Sequence, residues 1–272
     1  MYKIIFLDID GTLLTSEHTI LPGTLSSIQR IISKNKIPVI LATARPPQAI
    51  VKIYNQLQLD SPVICCNGAL ILDKDTGDNF YYRNSIAIES SFVPIINDAV
   101  TGHTVSLSFY KLDQWITNGH GYWIQQEEEI TETKAIISDT LLAIQKWVDE
   151  NDGPNKILLM GEPACIESIE LVLKEITNHR LNIYKSKPTY LEIMNRAASK
   201  VSAINFLLDT YQLTDKDTLV IGDNYNDIEM LKLAGMGVAM GNAPDEVKAH
   251  ADFITLDNDS EGIQFALDKF IK

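Results

Sequence analysis

Four short apolar runs in this sequence each stop at a polar residue, and that pattern restricts the fold more than any bulk property. Lys3–Leu7 stops at Asp8, Pro38–Ala42 at Thr43, Pro62–Cys66 at Asn67, and Thr218–Ile221 at Gly222-Asp223. Near-continuous apolar runs of this length are expected of strands buried on both faces. Helical spacings lie between the first three: Leu25, Ile28, Ile31 and Ile32, then a helix predicted around Gln48–Leu57. A β-α-β-α-β order implies right-handed crossovers and a parallel sheet. Ligands of such sheets bind outside the carboxyl ends of the strands. The four polar stops are therefore expected to rim one crevice.

The last segment reads the same way. Val201, Ile204, Leu208 and Tyr211 share one helical face, and Ile228, Leu231 and Ala234 another. A run over Val238–Met240 precedes Pro244, Asp245 and Glu246, which suit a first helical turn. A strand is predicted at Phe253–Thr255, then a helix capped by Ser260 and carrying Ile263, Ala266, Leu267 and Phe270.

The middle differs. It reads as a helix to about Thr101, strands at Thr104–Tyr110 and Tyr122–Gln125, and a helix over Lys134–Val148. A strand at Lys156–Met160, a helix at Pro163–Asn178 and strands at Leu181–Lys185 and Tyr190–Met194 follow. Strands in succession without helices between them imply antiparallel pairing. The expected fold is α/β: a Rossmann-like parallel-sheet core from residues 1–84 and 195–272, with an α+β domain inserted over residues 85–194. The charge run Glu127–Glu129 reads as solvated surface.

Bulk properties remove several function classes. The formal charge is −13, and a dedicated nucleic-acid binder needs a basic face to meet phosphates. The excess of acids is compatible with a hard metal ion. Three cysteines, two adjacent, make no disulfide framework and suit a reducing compartment. No apolar stretch approaches the ~18 residues of a membrane span, and the N-terminal run is too short for a secretory segment. A cytoplasmic enzyme is the expectation. The five histidines have no metal-ligand spacing, and neither a Walker loop nor a Ser-His-Asp arrangement is present.

The polar stops carry the chemistry. In Asp8-Ile9-Asp10-Gly11-Thr12, two close carboxylates repel each other when ionised. A divalent cation relieves that, and Mg²⁺ takes oxygen ligands from one or two carboxylates plus phosphate and water. Gly11 permits a tight turn and close approach to a ligand. Asp223-Asn224-Tyr225-Asn226-Asp227 offers a second acidic cluster on a strand-to-helix turn. Thr43 can offer a hydroxyl to a phosphate oxygen. Lys200, taken alone, is a solvated helical lysine.

Together these residues resemble the haloacid dehalogenase-like phosphatases, specifically the Cof-type group with an inserted class IIB cap, over essentially the whole length. Phe6–Leu14 looks like the family's first motif, Ala42-Thr43-Ala44-Arg45 the second, Ser199-Lys200 the third and Gly222–Leu231 the fourth. Cys66-Asn67-Gly68-Ala69 and Met240-Gly241-Asn242-Ala243 are further matches. The family usually has glycines around the third-motif lysine. Ala197, Ala198 and Val201 stand here instead, so a tighter turn or a shifted helix start is expected.

The resemblance implies a Mg²⁺-dependent phosphatase with Asp8 as nucleophile and Asp10 as general acid and base. It implies Mg²⁺ held by Asp8, the Asp10 carbonyl and Asp223, with Asp227 nearby. Gly11, Thr12, Thr43, Ala44, Lys200 and Asn226 would bind the phosphoryl group, with Arg45 and Asn67 on the rim. The implied partner is a small phosphorylated metabolite, a sugar phosphate first. Pyridoxal phosphate, flavin mononucleotide or a nucleotide remain as substrates, and a phosphomutase as the alternative reaction. Asp10 argues against a dehalogenase, and the pair of acids against a non-catalytic sensor. The insert's aromatic residues Tyr110, Trp115, Tyr122 and Trp123 read first as packing.

Overall fold

The computed structural model describes residues 2–75 and 80–271. β1 (Ile4–Leu7), α1 (Pro22–Arg30), β2 (Val39–Ala42), α2 (Val51–Leu57), β3 (Val63–Cys65), β4 (Leu70–Lys74) and β5 (Phe80–Ser85) come first. α3 (Phe92–Val100), β6 (Val105–Lys111), β7 (Gln114–Thr117), α4 (Tyr122–Thr131), β8 (Ile136–Ile137) and α5 (Thr140–Glu150) follow. Then come β9 (Lys156–Gly161), α6 (Pro163–Ile176), β10 (Leu181–Lys187) and β11 (Tyr190–Asn195). α7 (Lys200–Tyr211), β12 (Thr218–Gly222), α8 (Ile228–Leu233), β13 (Met236–Ala239), α9 (Asp245–Lys248), β14 (Phe253–Ile254) and α10 (Gly262–Phe270) complete the order. The chain divides into two compact units. One is Met1–Ala44 with Val51–Arg83 and Ser199–Lys272; the other is Arg45–Ile50 with Asn84–Ala198. Among the described residues, no helix is long and apolar enough to cross a membrane.

The first unit is built on an eight-stranded sheet in the order β14-β13-β12-β1-β2-β3-β4-β5. All pairings from β14 to β3 are parallel, and β4 turns back antiparallel to β3. Every residue of β1 is fully buried, as a strand covered on both faces requires. Ile4, Phe6, Ile40 and Val220 pack against Ala203, Ile204, Leu207 and Leu208 of α7 and Met230 and Leu231 of α8. The connections step one way from β1 through β2 to β3, and the other way from β12 to β14. The switch point therefore falls between β1 and β12.

The second unit is a six-stranded sheet in the order β10-β11-β9-β6-β7-β8. It is antiparallel except for the β7–β8 pair. One face is apolar: Leu107, Phe109, Ile157, Leu159, Leu191 and Ile193 pack against α3, α5 and α6. The other carries Tyr110, Trp115, Leu158, Met160 and Tyr190 with Ile124 of α4.

Several local expectations are corrected. Tyr122–Gln125 is the start of helix α4, and the strand that pairs with β6 is β7. The buried positions of α4 are Ile124, Glu127, Glu128 and Thr131, a helical spacing hidden by two acids. Glu127 and Glu128 are accordingly not solvated. Glu127 accepts the Tyr190 hydroxyl at 2.9 Å, and Glu128 accepts Lys134 Nζ at 2.7 Å and the Ala135 amide at 3.0 Å. The helix predicted from Lys134 begins at Thr140, with Asp139 accepting the Leu141 amide as its cap and β8 ahead of it. Gln48 lies in a 3₁₀ turn, so the regular helix starts at Val51. Ser260 is not the cap of α10: Glu261, at φ +57°, holds that position. The β4 and β5 strands were not foreseen.

Three consecutive residues after β3 adopt left-handed backbone: Cys66 (φ +48°), Asn67 (φ +47°) and Gly68 (φ +97°). A Cβ on Gly68 would run into the Ser199 carbonyl at the start of α7. Gly68→Ala is therefore expected to destabilise by at least ~2 kcal/mol, from left-handed strain plus the clash. An unchanged urea midpoint would show that the two backbones are not in close approach.

Candidate active site

The carboxyl ends of β12, β1, β2 and β3, four neighbouring strands, present Asp223, Asp8, Thr43 and Asn67. Backbone pairing carries three of them past their strands. The Asp8 amide donates to the Ile221 carbonyl at 3.0 Å, the Thr43 amide to Ile64 at 2.9 Å, and the Asn67 amide to the Thr43 carbonyl at 2.8 Å. Asp8, Thr43, Asn67, Lys200 and Asp227 are all buried.

Lys200 is the centre of the arrangement. Its Nζ donates to Asp8 Oδ1 at 2.5 Å and to Asp227 Oδ1 at 2.6 Å. The lysine is the first residue of α7, and Ser199 caps that helix. The Ser199 hydroxyl accepts the Ser202 amide, and the Ser202 hydroxyl accepts the Ser199 amide, both at 3.0 Å. In place of the family's glycines, the serine ends the preceding extended backbone and starts the helix at Lys200.

Asp227 uses its other oxygen locally. Oδ2 accepts the amides of Asp223 and Asn224, each at 3.0 Å, so one carboxylate both answers Lys200 and shapes the turn after β12. Thr12 Oγ1 donates to Asp223 Oδ1 at 2.7 Å. Gly11 stands at φ +81°, and a Cβ there would run into the Asp223 carboxylate. Asn226 Nδ2 donates to Asn67 Oδ1 at 3.1 Å.

Asp8, Asp223 and Asp227 each offer an oxygen within 4.8 Å of the others. With all three ionised, and with Lys200, the group carries two uncompensated negative charges. A divalent ion that prefers oxygen ligands fits that deficit. Burial raises the Asp8 carboxyl well above its ordinary value, partly offset by Lys200 and reinforced by Asp227 and Asp223. Asp223 is pushed up to about 7, chiefly by burial, with the Thr12 hydrogen bond opposing and Asp227 adding to it. Burial works against the Lys200 ammonium, yet Asp227 and Asp8 outweigh it and raise its pKa.

The structure thus gathers Asp8, Gly11, Thr12, Thr43, Asn67, Lys200, Asp223, Asn226 and Asp227 into the first unit at one sheet edge, with Ala44 directly after Thr43. The Asp10 side chain is exposed and contributes no carboxylate to the trio, but its charge lies close enough to help raise Asp223. Arg45 belongs to the second unit. Asn258 was missed: its side chain donates to the Leu14 carbonyl at 2.9 Å. It lies in Asp257-Asn258-Asp259, which reads only as a polar loop.

The sequence matches the haloacid dehalogenase-like hydrolase family over residues 5–267, and the chain belongs to that family. A protein of Haemophilus influenzae named as a candidate phosphatase is 34% identical over 271 residues, covering 99% of this chain and 98% of that protein. The pyridoxal phosphate phosphatase YbhA of Escherichia coli is 28% identical, with 96% of both proteins covered. The crystal structure of a haloacid dehalogenase-like hydrolase from Bacteroides thetaiotaomicron superposes with a TM-score of 0.89 over the full length of both chains at 28% identity.

The raised Asp223 value has a signed consequence. Between its unfolded value of 3.8 and about 7, the folded protein holds a proton that the unfolded chain has released. That contribution to stability is complete below 3.8 and is lost as pH rises towards and through 7. In chelator, the stability advantage of wild type over Asp223→Asn should shrink from pH 5 to pH 8, and Mg²⁺ should reduce that shrinkage. Parallel urea midpoints for the two proteins across this range would contradict the reading.

Proposed function

We propose that this member of the haloacid dehalogenase-like hydrolases is a Mg²⁺-dependent phosphatase. Its substrate is a small phosphomonoester, a sugar phosphate first. The observation that carries the reading is the buried Asp8, held at the carboxyl edge of the sheet by Lys200 within a carboxylate trio short of two positive charges. The phosphatase relatives support the reaction class, and YbhA makes pyridoxal phosphate the second substrate to test.

Lys200 occupies Oδ1 of Asp8, which leaves Oδ2 for attack on phosphorus. The Oδ2–P bond forms as the bond to the leaving oxygen breaks, giving an aspartyl-phosphate. Covalent catalysis of this kind divides one hard displacement into two easier ones. Asp10 donates its proton to the leaving oxygen, then takes one from the water that attacks phosphorus, so Asp8 is regenerated and inorganic phosphate leaves. The exposure of Asp10 suits a group that exchanges protons with solvent between the steps. Thr43, Lys200 and Asn226 hold the phosphoryl oxygens, with the amides of Gly11, Thr12 and Ala44 beside them. Asp8, Asp223 and the Asp10 carbonyl, with Asp227 in support, would hold Mg²⁺, which would supply charge neutralisation for the transferring group.

We assign residues 1–84 and 195–272 to the catalytic core and 85–194 to a cap that selects the leaving group. Tyr110 and Trp115 belong to the cap's own buried packing, whereas Tyr122 is 70% exposed. The three free cysteines support a reducing, cytoplasmic location.

A phosphate-release screen over sugar phosphates, pyridoxal phosphate, flavin mononucleotide and nucleotides, with Mg²⁺ and with chelator, tests the whole reading. Asp8→Asn should reduce turnover by at least ~10³-fold; undiminished release would sink the mechanism. Asp10→Asn should hurt most with poor leaving groups, and equal loss across leaving groups would remove its acid role. Phosphate transferred within the substrate and not released would identify a phosphomutase.

A further inference from the structure

The loop that carries Asp8 is also held at two of its backbone carbonyls by asparagines outside the groups assigned to the reaction. β13 and β14 run parallel to β12, so the segments that follow them reach the same sheet edge. Asn242, after β13, donates its Nδ2 to the Gly11 carbonyl at 2.8 Å. Asn258, after β14, donates its Nδ2 to the Leu14 carbonyl at 2.9 Å. The two are joined, because the Asn258 amide donates to Asn242 Oδ1 at 3.1 Å. The segments beneath them are locked together, with the Gly241 amide donating to the Leu256 carbonyl at 3.0 Å. A Cβ on Gly241 would fall 2.7 Å from the Asp257 nitrogen, so this approach is as close as two backbones allow.

Glycine at φ +81° has wide backbone freedom; within the loop the Gly11–Thr12 peptide is held only at its N–H, which donates to the Ile9 carbonyl at a long 3.4 Å, and Asn242 holds its oxygen. That peptide is a rigid plane. Pinning the Gly11 oxygen therefore sets the direction of the Thr12 N–H and the origin of the Thr12 side chain. The Thr12 hydroxyl in turn donates to Asp223. A continuous path runs from Asn258 through Asn242 and the Gly11–Thr12 peptide to the carboxylate trio. The amide groups contact neither the trio nor Lys200, so their effect is transmitted through the loop.

We infer that Asn242 and Asn258 are positioning residues that set the orientation of the Gly11–Thr12 peptide for phosphoryl transfer. The inference rests on the phosphatase reading for its kinetic consequence but not for its structural one. Misplacement of a reacting group by a fraction of an ångström lowers kcat while ground-state binding is retained.

The test uses p-nitrophenyl phosphate with Mg²⁺ for kinetics, and hydrogen exchange of the metal-free protein as a readout that needs no turnover. Asn242→Ala should lower kcat about 10- to 100-fold, with KM changed less than about threefold and Tm within about 3 °C. Asn242→Asp keeps the acceptor for Asn258 but cannot donate to Gly11, so it should be no better than Asn242→Ala. Asn258→Ala should fall between wild type and Asn242→Ala. In Asn242→Ala, amides of residues 9–15 should exchange at least about fivefold faster, the scale of one lost hydrogen bond, with β6 unchanged. Asp259→Ala is the control. It breaks only the bonds from the Ser16 amide and hydroxyl, both 2.9 Å, and should leave kcat within about twofold. Full activity in Asn242→Asp, a kcat loss that merely tracks Tm, or unchanged exchange in Asn242→Ala would overturn the inference. If wild type releases phosphate from nothing in the panel, the phosphatase reading fails, and the exchange result alone decides whether the asparagines hold the loop.

Discussion

A single buried ammonium makes the rest of the sheet edge possible. Three carboxylates gathered within 4.8 Å are costly in a region that excludes water, and an unanswered buried charge costs several kcal/mol. Lys200 reaches two of them directly. Around that ammonium the local structure is closely determined. Ser199 starts α7 so that its first residue points at Asp8. Gly68 has no side chain because the Ser199 carbonyl lies against it. The second oxygen of Asp227 gathers the amides of Asp223 and Asn224, which sets where the third carboxylate stands. Electrostatics and backbone geometry are here one construction, and the remaining negative charge is what suits the edge to a divalent cation.

The core was legible in the sequence for a physical reason. Strands covered on both faces must be apolar throughout, so the polar residue at which each run stops marks the carboxyl edge without ambiguity. Asp8, Thr43, Asn67 and Asp223 could be placed side by side on that ground alone. Lys200 could not, because a lysine at the start of an amphipathic helix, away from its apolar face, reads as solvated; only the motif context singled it out. Asn258 gave no signal at all, since its partner is a backbone carbonyl 244 positions away in sequence. In the second unit the failures have two causes. Glu127 and Glu128 occupy the buried side of α4, so the period that reveals a helix was carried partly by acids. A brief β8 was absorbed into the helix that follows it.

The two faces of the second sheet are held by different physics. The face against α3, α5 and α6 is a conventional apolar core. The other buries Lys156 and Glu192 with 3.7 Å between them, and sets the Lys156 ammonium 4.8 Å from the centre of the Tyr110 ring. Burial holds the Glu127 carboxyl above its ordinary range, opposed by Lys156 and by the Tyr190 hydroxyl. Dispersion tolerates small slips between layers, whereas charged groups without water tolerate few arrangements. Such a face contributes less to stability than its area suggests and more to the uniqueness of the packing.

The order in which the first unit is strung along the chain has a consequence for how the protein is made. β1 pairs with β12, Ile4 standing beside Thr218, so the strand ahead of Asp8 lacks this neighbour until more than two hundred further residues exist. Asp8 and Lys200 stand 192 positions apart, so the ammonium that answers the carboxylate also arrives late. During that interval the second unit, whose strands are close together in sequence, has every partner it needs, while β1 to β5 make five of the eight strands of their sheet, with an open β1 edge. Folding of this chain is thus expected to run from the middle outward. The wait leaves Ile4–Leu7 as the stretch most in need of protection from other nascent chains.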